Sequence, residues 1–332
     1  MEQRSRKGIE IKNQFKKMKT VSPAIMGISI AAGWGWGFSM LTGMTVVQER
    51  GVIPFAIWGF ANALALLFFG WFLSRYPKIL NVSSNKYVTA FTTLVRIFSI
   101  WIQMSAIFET MNKLGIDPNI SKTFAYGSGI LYVVSAFTKG LPFEIKIDGL
   151  QGGIILTCVL VNIGIGLTTS NVSETTMLLK STKEIPWALW SGLLLLGGPF
   201  VDLSNIQRAR EVHQHKHLKS SYTIAFIYFT VYMASILIMS IFKFNNLMNI
   251  TLLIAVIMLA HSTLNSDAVA LHEIGGRKFG LALGLVTIIA WEFVKVVGFF
   301  NLWQIIANIR IYVAIAVIVW TIIKTKKYKK NA

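Results

Sequence analysis

Two short stretches decide how this chain folds: Gly33-Trp34-Gly35-Trp36-Gly37, and Gly197-Gly198-Pro199. Each lies inside an apolar run long enough to cross a bilayer, and each carries residues that break helices. Lipid cannot hydrogen-bond a freed N–H or C=O. Broken backbone at bilayer depth therefore survives only where it is buried in protein or lines a cavity. A pair of such breaks at corresponding places in two halves of one chain is the sequence pattern expected of a central solute site. A glycine run in a membrane helix also serves close packing, so the pair carries more than either run alone.

Working outward, the composition sets the class. Hydrophobic residues make up 54% of the chain and charged residues 14%. Ten segments meet or approach the roughly 20 apolar residues of a span: 22–46, 52–74, 87–111, 120–138, 149–169, 185–212 (broken), 219–243, 247–271, 279–300 and 304–324. Arg96 interrupts the third, and Gly127, Ser128 and Gly129 dilute the fourth. The expected fold is an all-α integral membrane protein of about ten transmembrane helices, with the first and sixth broken. Ten spans divide into two sets of five. Because five is odd, similar halves would be related by inversion. The expected organisation is a basic cytoplasmic segment 1–21, a first repeat 22–169, a second repeat 185–324 and a basic tail 325–332, all forming one membrane domain. The lone cysteine, Cys158, lies within the fifth span and has no internal disulfide partner.

The formal charge of +18 does not point to nucleic acid, because the basic residues alternate with the spans. With the N-terminus inside, 23 of the 32 lysines and arginines fall on the cytoplasmic side. That asymmetry predicts a multi-pass protein of the cytoplasmic membrane with both termini inside. The basic ends also attract anionic membrane lipid, at roughly 1 kcal/mol per residue. The charged N-terminal stretch is too long, and the run after it too near span length, for a cleaved signal. Glu2 and the ending Lys330-Asn331-Ala332 match no simple myristoyl or prenyl pattern.

Ionisable groups inside spans cost roughly 2.5–3.5 kcal/mol on insertion scales unless paired or wetted, so each needs a reason. Arg96 in the third span and Asp202 after the second break are placed to face one another, as an ion pair or a clamp for a substrate carboxylate. Glu292 and Lys295 are spaced to pair along one helix face. Arg310, near the start of the tenth span, is expected to snorkel to the interface. Trp34 and Trp36 are candidates for a gate or stacking surface, or for core packing. Gln103 and Asn205 supply polar groups near the breaks, as does Asn265. The candidate substrate site is thus Gly33, Trp34, Gly35, Trp36, Gly37, Arg96, Gln103, Gly197, Gly198, Asp202 and Asn205. His213, His215 and His217 form a His-x-His-x-His run that suggests metal ligands, but its flanking lysines favour a solvated basic loop.

Three further stretches resemble the sodium/solute symporters, which share the five-plus-five inverted-repeat architecture of the bacterial leucine transporter. They are Ile147-Asp148-Gly149-Leu150-Gln151-Gly152, Asp202-Leu203-Ser204-Asn205-Ile206-Gln207-Arg208-Ala209, and Ala255-Val256-Ile257-Met258-Leu259-Ala260-His261-Ser262-Thr263-Leu264-Asn265. They fall in the family's order on the fifth, sixth and eighth spans, and the family's extra helices outside the ten-helix core are missing. The resemblance implies a sodium site built from carbonyls of the broken first helix and two adjacent hydroxyls of the eighth. Here Met258 and Leu259 stand where those hydroxyls belong, and Ser262 and Thr263 follow one turn, about 5.4 Å, further on. The candidate sodium site is accordingly Ala255, Ser262 and Thr263, with Asp148 on the ion path. A proton as coupling ion, or no coupling ion, stays open.

No phosphate-binding loop, zinc-protease helix, serine elbow or ATPase segment is found in the sequence, which argues against an enzyme or primary pump. The functional expectation is a secondary carrier moving a small polar solute by alternating access, with a cation-coupled symporter as the form the resemblance suggests. A transporter-derived receptor or scaffold, an uncoupled facilitator and, with least support, a membrane enzyme using the histidine loop are the alternatives.

Overall fold

The computed structural model describes residues 21–35, 37–169, 183–214 and 217–330. These form twelve α-helices: α1 Pro23–Trp34, α2 Gly37–Arg50, α3 Val52–Arg75, α4 Lys86–Lys113, α5 Pro118–Lys139, α6 Leu141–Thr169, α7 Ile185–Gly197, α8 Leu203–Gln214, α9 Leu218–Met239, α10 Asn246–Gly275, α11 Arg277–Val294 and α12 Phe299–Lys330. Short 3-10 turns occupy Pro77–Ser84, Gly198–Val201 and Lys295–Val297.

Local sequence explains where the helices begin and end. The Ser22 hydroxyl accepts from the Ile25 N–H at 3.3 Å, with Pro23 in the first helical position. Asn85, Asp117 and Asn245 cap α4, α5 and α10 in the same manner. Gly140 (φ 69°) and Gly276 (φ 87°) allow α5 and α10 to turn at once into the next helix.

Among the described residues, seven helices are long and apolar enough to cross a membrane, and two bent pairs bring the number to nine. The pairs are α1 with α2, bent by 64°, and the Ile185–Val201 stretch with the start of α8, bent by 59°. The first bend falls within residues 33–37, whereas the second falls at Asp202, three residues past Pro199, where the 3-10 turn that the Gly-Gly-Pro stretch opens gives way to α8. The count differs from the expected ten at α5, which covers the fourth predicted span. It is 22 residues long, but Asn119, Ser121, Lys122, Thr123, Tyr126 and Ser128 make it too polar to qualify.

Burial is inverted relative to a water-soluble protein. Phe293 and Val296 are 80% and 82% exposed, while Arg96, Asp148, Asp202 and Asp267 are fully buried. Apolar side chains facing out and charges facing in are what a hydrocarbon solvent selects. The fold is that of a multi-pass α-helical membrane protein.

The core falls into three clusters, of which the smallest joins Phe38, Leu194, Leu302 and Trp303, and two packing groups dominate it. In one, α3 packs on α9 and α7, and α9 packs on α1. In the other, α10 packs on α4, α5, α6 and α11. Phe200 fixes the turn after α7 to α3, meeting Phe69 and Phe72 edge to face at 5.0 and 5.1 Å.

Candidate functional site

At the first break the freed backbone is capped by the protein itself. Gly35 N–H still reaches Ala31 O at 2.8 Å, closing α1. The first N–H of α2, at Gly37, donates to Gln103 Oε1 on α4 at 2.8 Å. A side chain at Gly37 would meet the Ala260 backbone N at 2.9 Å, so only glycine lets α2 lie directly on α10. Trp34 Nε1 donates to Asn62 Oδ1 at 2.7 Å, and the indole is buried. Its ring serves packing in the described conformation. Trp36 lies outside the described residues.

At the second break, Gly198 O accepts from Arg310 Nη2 at 3.0 Å. A Cβ on Gly198 would sit 2.3 Å from the Trp34 ring, so the two bends press against one another and glycine is required at the contact. Asp202 then caps α8. Its Oδ1 accepts from the Asn205 N–H at 3.2 Å and from the Ser204 hydroxyl at 2.6 Å. Between the bends, Trp34, Phe38, Ser39, Trp58, Asn62 and Arg310 line a cavity of about 20 Å³, room for one water-sized molecule.

A charge network surrounds Asp202. Arg96 Nη2 donates to Asp202 Oδ2 at 3.0 Å, and Arg96 Nη1 donates to Asp267 on α10. Arg310 Nη2 lies 3.7 Å from Asp202 Oδ2. Two guanidinium groups thus face two carboxylates. Arg310 does not snorkel as its position near the start of a span suggests; α12 packs against the Gly198–Val201 turn, which holds the guanidinium inside, where Gly198 O and Asp202 repay its burial.

A second network centres on Arg208 of α8, and Ser204 touches both, its Oγ accepting from Arg96 Nη1 at 3.5 Å and its backbone O from Arg208 Nη1 at 3.3 Å. Arg208 bridges four helices: its Nε donates to Ser29 Oγ on α1 at 3.0 Å, and its Nη2 donates to Glu144 and Asp148 on α6 and to Ser266 Oγ on α10. Asp148 Oδ2 accepts from Ser29 Oγ and from Arg208, both at 2.7 Å, and Oδ1 accepts from Ser262 Oγ at 2.6 Å. Gly33 packs against this guanidinium, since its Cβ would lie 2.8 Å from Arg208 Nη2. Closer to the end of the bundle, Arg210 and Gln207 both bind Glu273, and Arg210 Nε donates to Leu80 O at 3.0 Å.

The structure therefore gathers most of the sequence-predicted residues, though in roles more specific than a shared lining. Gly33, Trp34, Gly35, Gly37, Gln103, Gly197, Gly198, Arg96 and Asp202 lie at or beside the two bends. Gln103 caps a helix with its Oε1. Asn205 is buried, and its side-chain nitrogen has no hydrogen-bond partner among the described residues. Ala255 is buried on α10. Ser262 is engaged with Asp148, whereas Thr263 donates to Leu259 O of its own helix at 3.1 Å. Glu292 pairs with Lys295 at 2.6 Å and also with Lys122 of α5 at 3.0 Å. His215 and the His213 side chain fall outside the described residues, and His217 is exposed. Among the described residues, no group of three or more His, Cys, Asp and Glu side chains is arranged to hold a metal ion.

Glu144, Arg208, Asp267, Ser29 and Ser266 were not among the predicted site residues. One signal for the first was present: Glu144 and Asp148 are four apart, on one face of a helix. No protein-family model matches the chain, and no curated protein is significantly similar to it.

Proposed function

We propose that this chain is a secondary carrier that moves a small polar solute by alternating access. The observation that carries the reading is the direct contact of two bent apolar helix pairs, Trp34 of one against Gly198 of the other, beside the buried Arg96, Asp202, Asp267 and Arg310. Irregular backbone and intramembrane charge together are the usual marks of a solute or ion path.

The packing pattern supports an inverted repeat of ten helices, with α5 as the fourth. Exchange the first span with the sixth, the second with the seventh, and so on through the fifth and tenth. The contact of α3 with α7 then becomes that of α9 with α1, α10 with α6 becomes α4 with α12, and α10 with α11 becomes α4 with α5. Likewise α10 with α5 becomes α4 with α11, and α1 with α6 becomes α7 with α12. The pairs α3 with α9 and α4 with α10 map onto themselves. In this reading α1, α2, α3, α7, α8 and α9 rock against α4, α5, α10 and α11, and the positive-inside bias puts both termini in the cytoplasm. Both charge networks cross that boundary, Arg96 and Asp267 to Asp202 in one, Ser266 to Arg208 in the other. The small cavity between the bends fits a closed conformation.

The test is uptake of radiolabelled amino acids, sugars and ureas into proteoliposomes, with and without sodium and proton gradients. Accumulation of one class, lost in Gly198→Leu, is the expected result. Binding of a solute without uptake under any gradient would instead favour a receptor or scaffold.

A further inference from the structure

The network around Arg208 is unbalanced in charge. One guanidinium meets two buried carboxylates, Glu144 and Asp148. The two acids are not equivalent. Asp148 accepts three hydrogen bonds, from Ser29, Ser262 and Arg208, and is solvated as an anion. Glu144 receives Arg208 on Oε1, while its Oε2 is buried and accepts no hydrogen bond from the described residues. On α10, the Ser266 hydroxyl directs its proton to Ser262 O at 2.9 Å. Among the described residues, the helices packed against α6 bring no further cation to the pair. The α1 residue in the network is the neutral Ser29, α9 contributes Tyr228, whose hydroxyl donates to Gly152 O, and α5 contributes Tyr132, whose hydroxyl accepts from Gln151. On α10 the nearby charge is Asp267, a further anion, which is already paired with Arg96, while Lys146 of α6 itself is exposed. A second full negative charge here has no counter-ion, and an unpaired buried charge is far costlier than a neutral carboxyl.

We propose that Glu144 is a proton-binding site, with Arg208 as its fixed counter-cation and Asp148 as the acid that stays ionised. This deepens the carrier reading by naming the coupling ion and its holder. Ser29 and Arg208 belong to the moving set of helices, whereas Ser266 does not. Separating them exposes Glu144 and lets its proton leave to water as the hydronium ion, Glu144 keeping the electron pair as carboxylate. The experiment is infrared spectroscopy of the purified full-length chain in lipid across a pH titration, reading the carbonyl band of a protonated carboxylic acid. Wild type should show a band that titrates away. It should be lost in Glu144→Gln and kept in Asp148→Asn and Asp202→Asn. Glutamine mimics the neutral acid, so Glu144→Gln should also fold, and failure to fold would count against the proposal as surely as a band that survives it. No protonated-acid band in wild type would likewise overturn it. None of these readouts needs a substrate, so the proton site can fail while solute uptake stands, and the reverse.

Discussion

Replacing Arg96 with methionine keeps most of the unbranched stem and removes the charge. The consequences follow from its two partners. Asp267 loses the guanidinium it pairs with directly, and Asp202 is left with Arg310 at 3.7 Å and the Ser204 and Asn205 donors. Breaking one side of a buried pair costs about 3–5 kcal/mol, because the remaining charge stays buried without compensation. That corresponds to a fall of roughly two to three and a half powers of ten in the folded fraction ratio. The cost should reside mainly at Asp267, so Asp267→Asn in the Arg96→Met background should restore about 0.5–3 kcal/mol, leaving the smaller penalty of an imperfectly bonded amide. Cys158 offers the assay. It is the lone cysteine and is buried, so a thiol-reactive dye reports unfolding on heating. An Arg96→Met protein that melts with the wild type, or a double variant no more stable than the single, would refute the assignment of Arg96 as the counter-ion of these two acids.

Gly198→Ala forces a methyl into the Trp34 ring and should destabilise by about 1–3 kcal/mol, with Trp34→Leu in the same chain relieving part of it; additive effects of the two changes would disprove the contact. Gln103→Leu strands the Gly37 N–H and should cost about 1–3 kcal/mol, read by the same dye assay. Ser262→Ala removes a hydrogen bond to a charged acceptor, worth about 1.5–3 kcal/mol, whereas Thr263→Val loses only a bond to its own helix and should cost less than about 1.5 kcal/mol. If sodium binds at the hydroxyls of α10, sodium should raise the melting temperature of wild type and not of the Ser262→Ala, Thr263→Val double variant. Cysteines introduced at positions 5 and 328 should resist an impermeant thiol reagent in intact cells, and labelling of either would reverse the proposed orientation.

The breaks were legible because glycine and proline act locally: Gly35 leaves helical geometry where it stands (φ −77°, ψ 85°), and Pro199 sits at the start of the 3-10 turn that ends α7. Arg96 and Asp202 were legible as a pair for a different reason, since any charge deep in an apolar run demands a partner. Arg208 was not, because an arginine near the end of a span reads equally well as a topology signal. Its partners lie 179, 64, 60 and 58 residues away in sequence. Asp267 was hidden likewise, 171 residues from Arg96. The expectation for Arg310 failed because depth in a span does not decide whether a side chain points to the interface or inward; the neighbouring helix decides, and here the turn at Gly198 offers a free carbonyl. Gln103 shows the converse limit. Its polarity marked it correctly as close to the break, but a freed N–H needs an acceptor before any solute does.

The two networks are held at one remove by the same pair of helices. Asp202 and Arg208 are roughly 9 Å apart along α8 at 1.5 Å per residue, and they belong to different networks. Across from them on α10, Ser266 bonds Arg208 while its neighbour Asp267 binds Arg96. A shift of α8 against α10 by one helical turn, about 5.4 Å, would therefore disturb both sets of contacts together. Opening one network while keeping the other closed calls for a tilt rather than a slide. The bend at Gly198–Val201 is where such a tilt can occur, because Arg310 and Phe200 hold the turn while α8 leaves it through the single extended residue Asp202 (φ −106°, ψ 109°). If α8 swings about Asp202, the Ser204 and Asn205 bonds travel with α8, while the bonds of Arg96 on α4 to Asp202 and Ser204 are the ones put under load. In a carrier, that division makes the Arg96–Asp202 pair the contact that breaks when α8 swings, and the Glu144–Arg208 pair the one that decides, by protonation, whether it can.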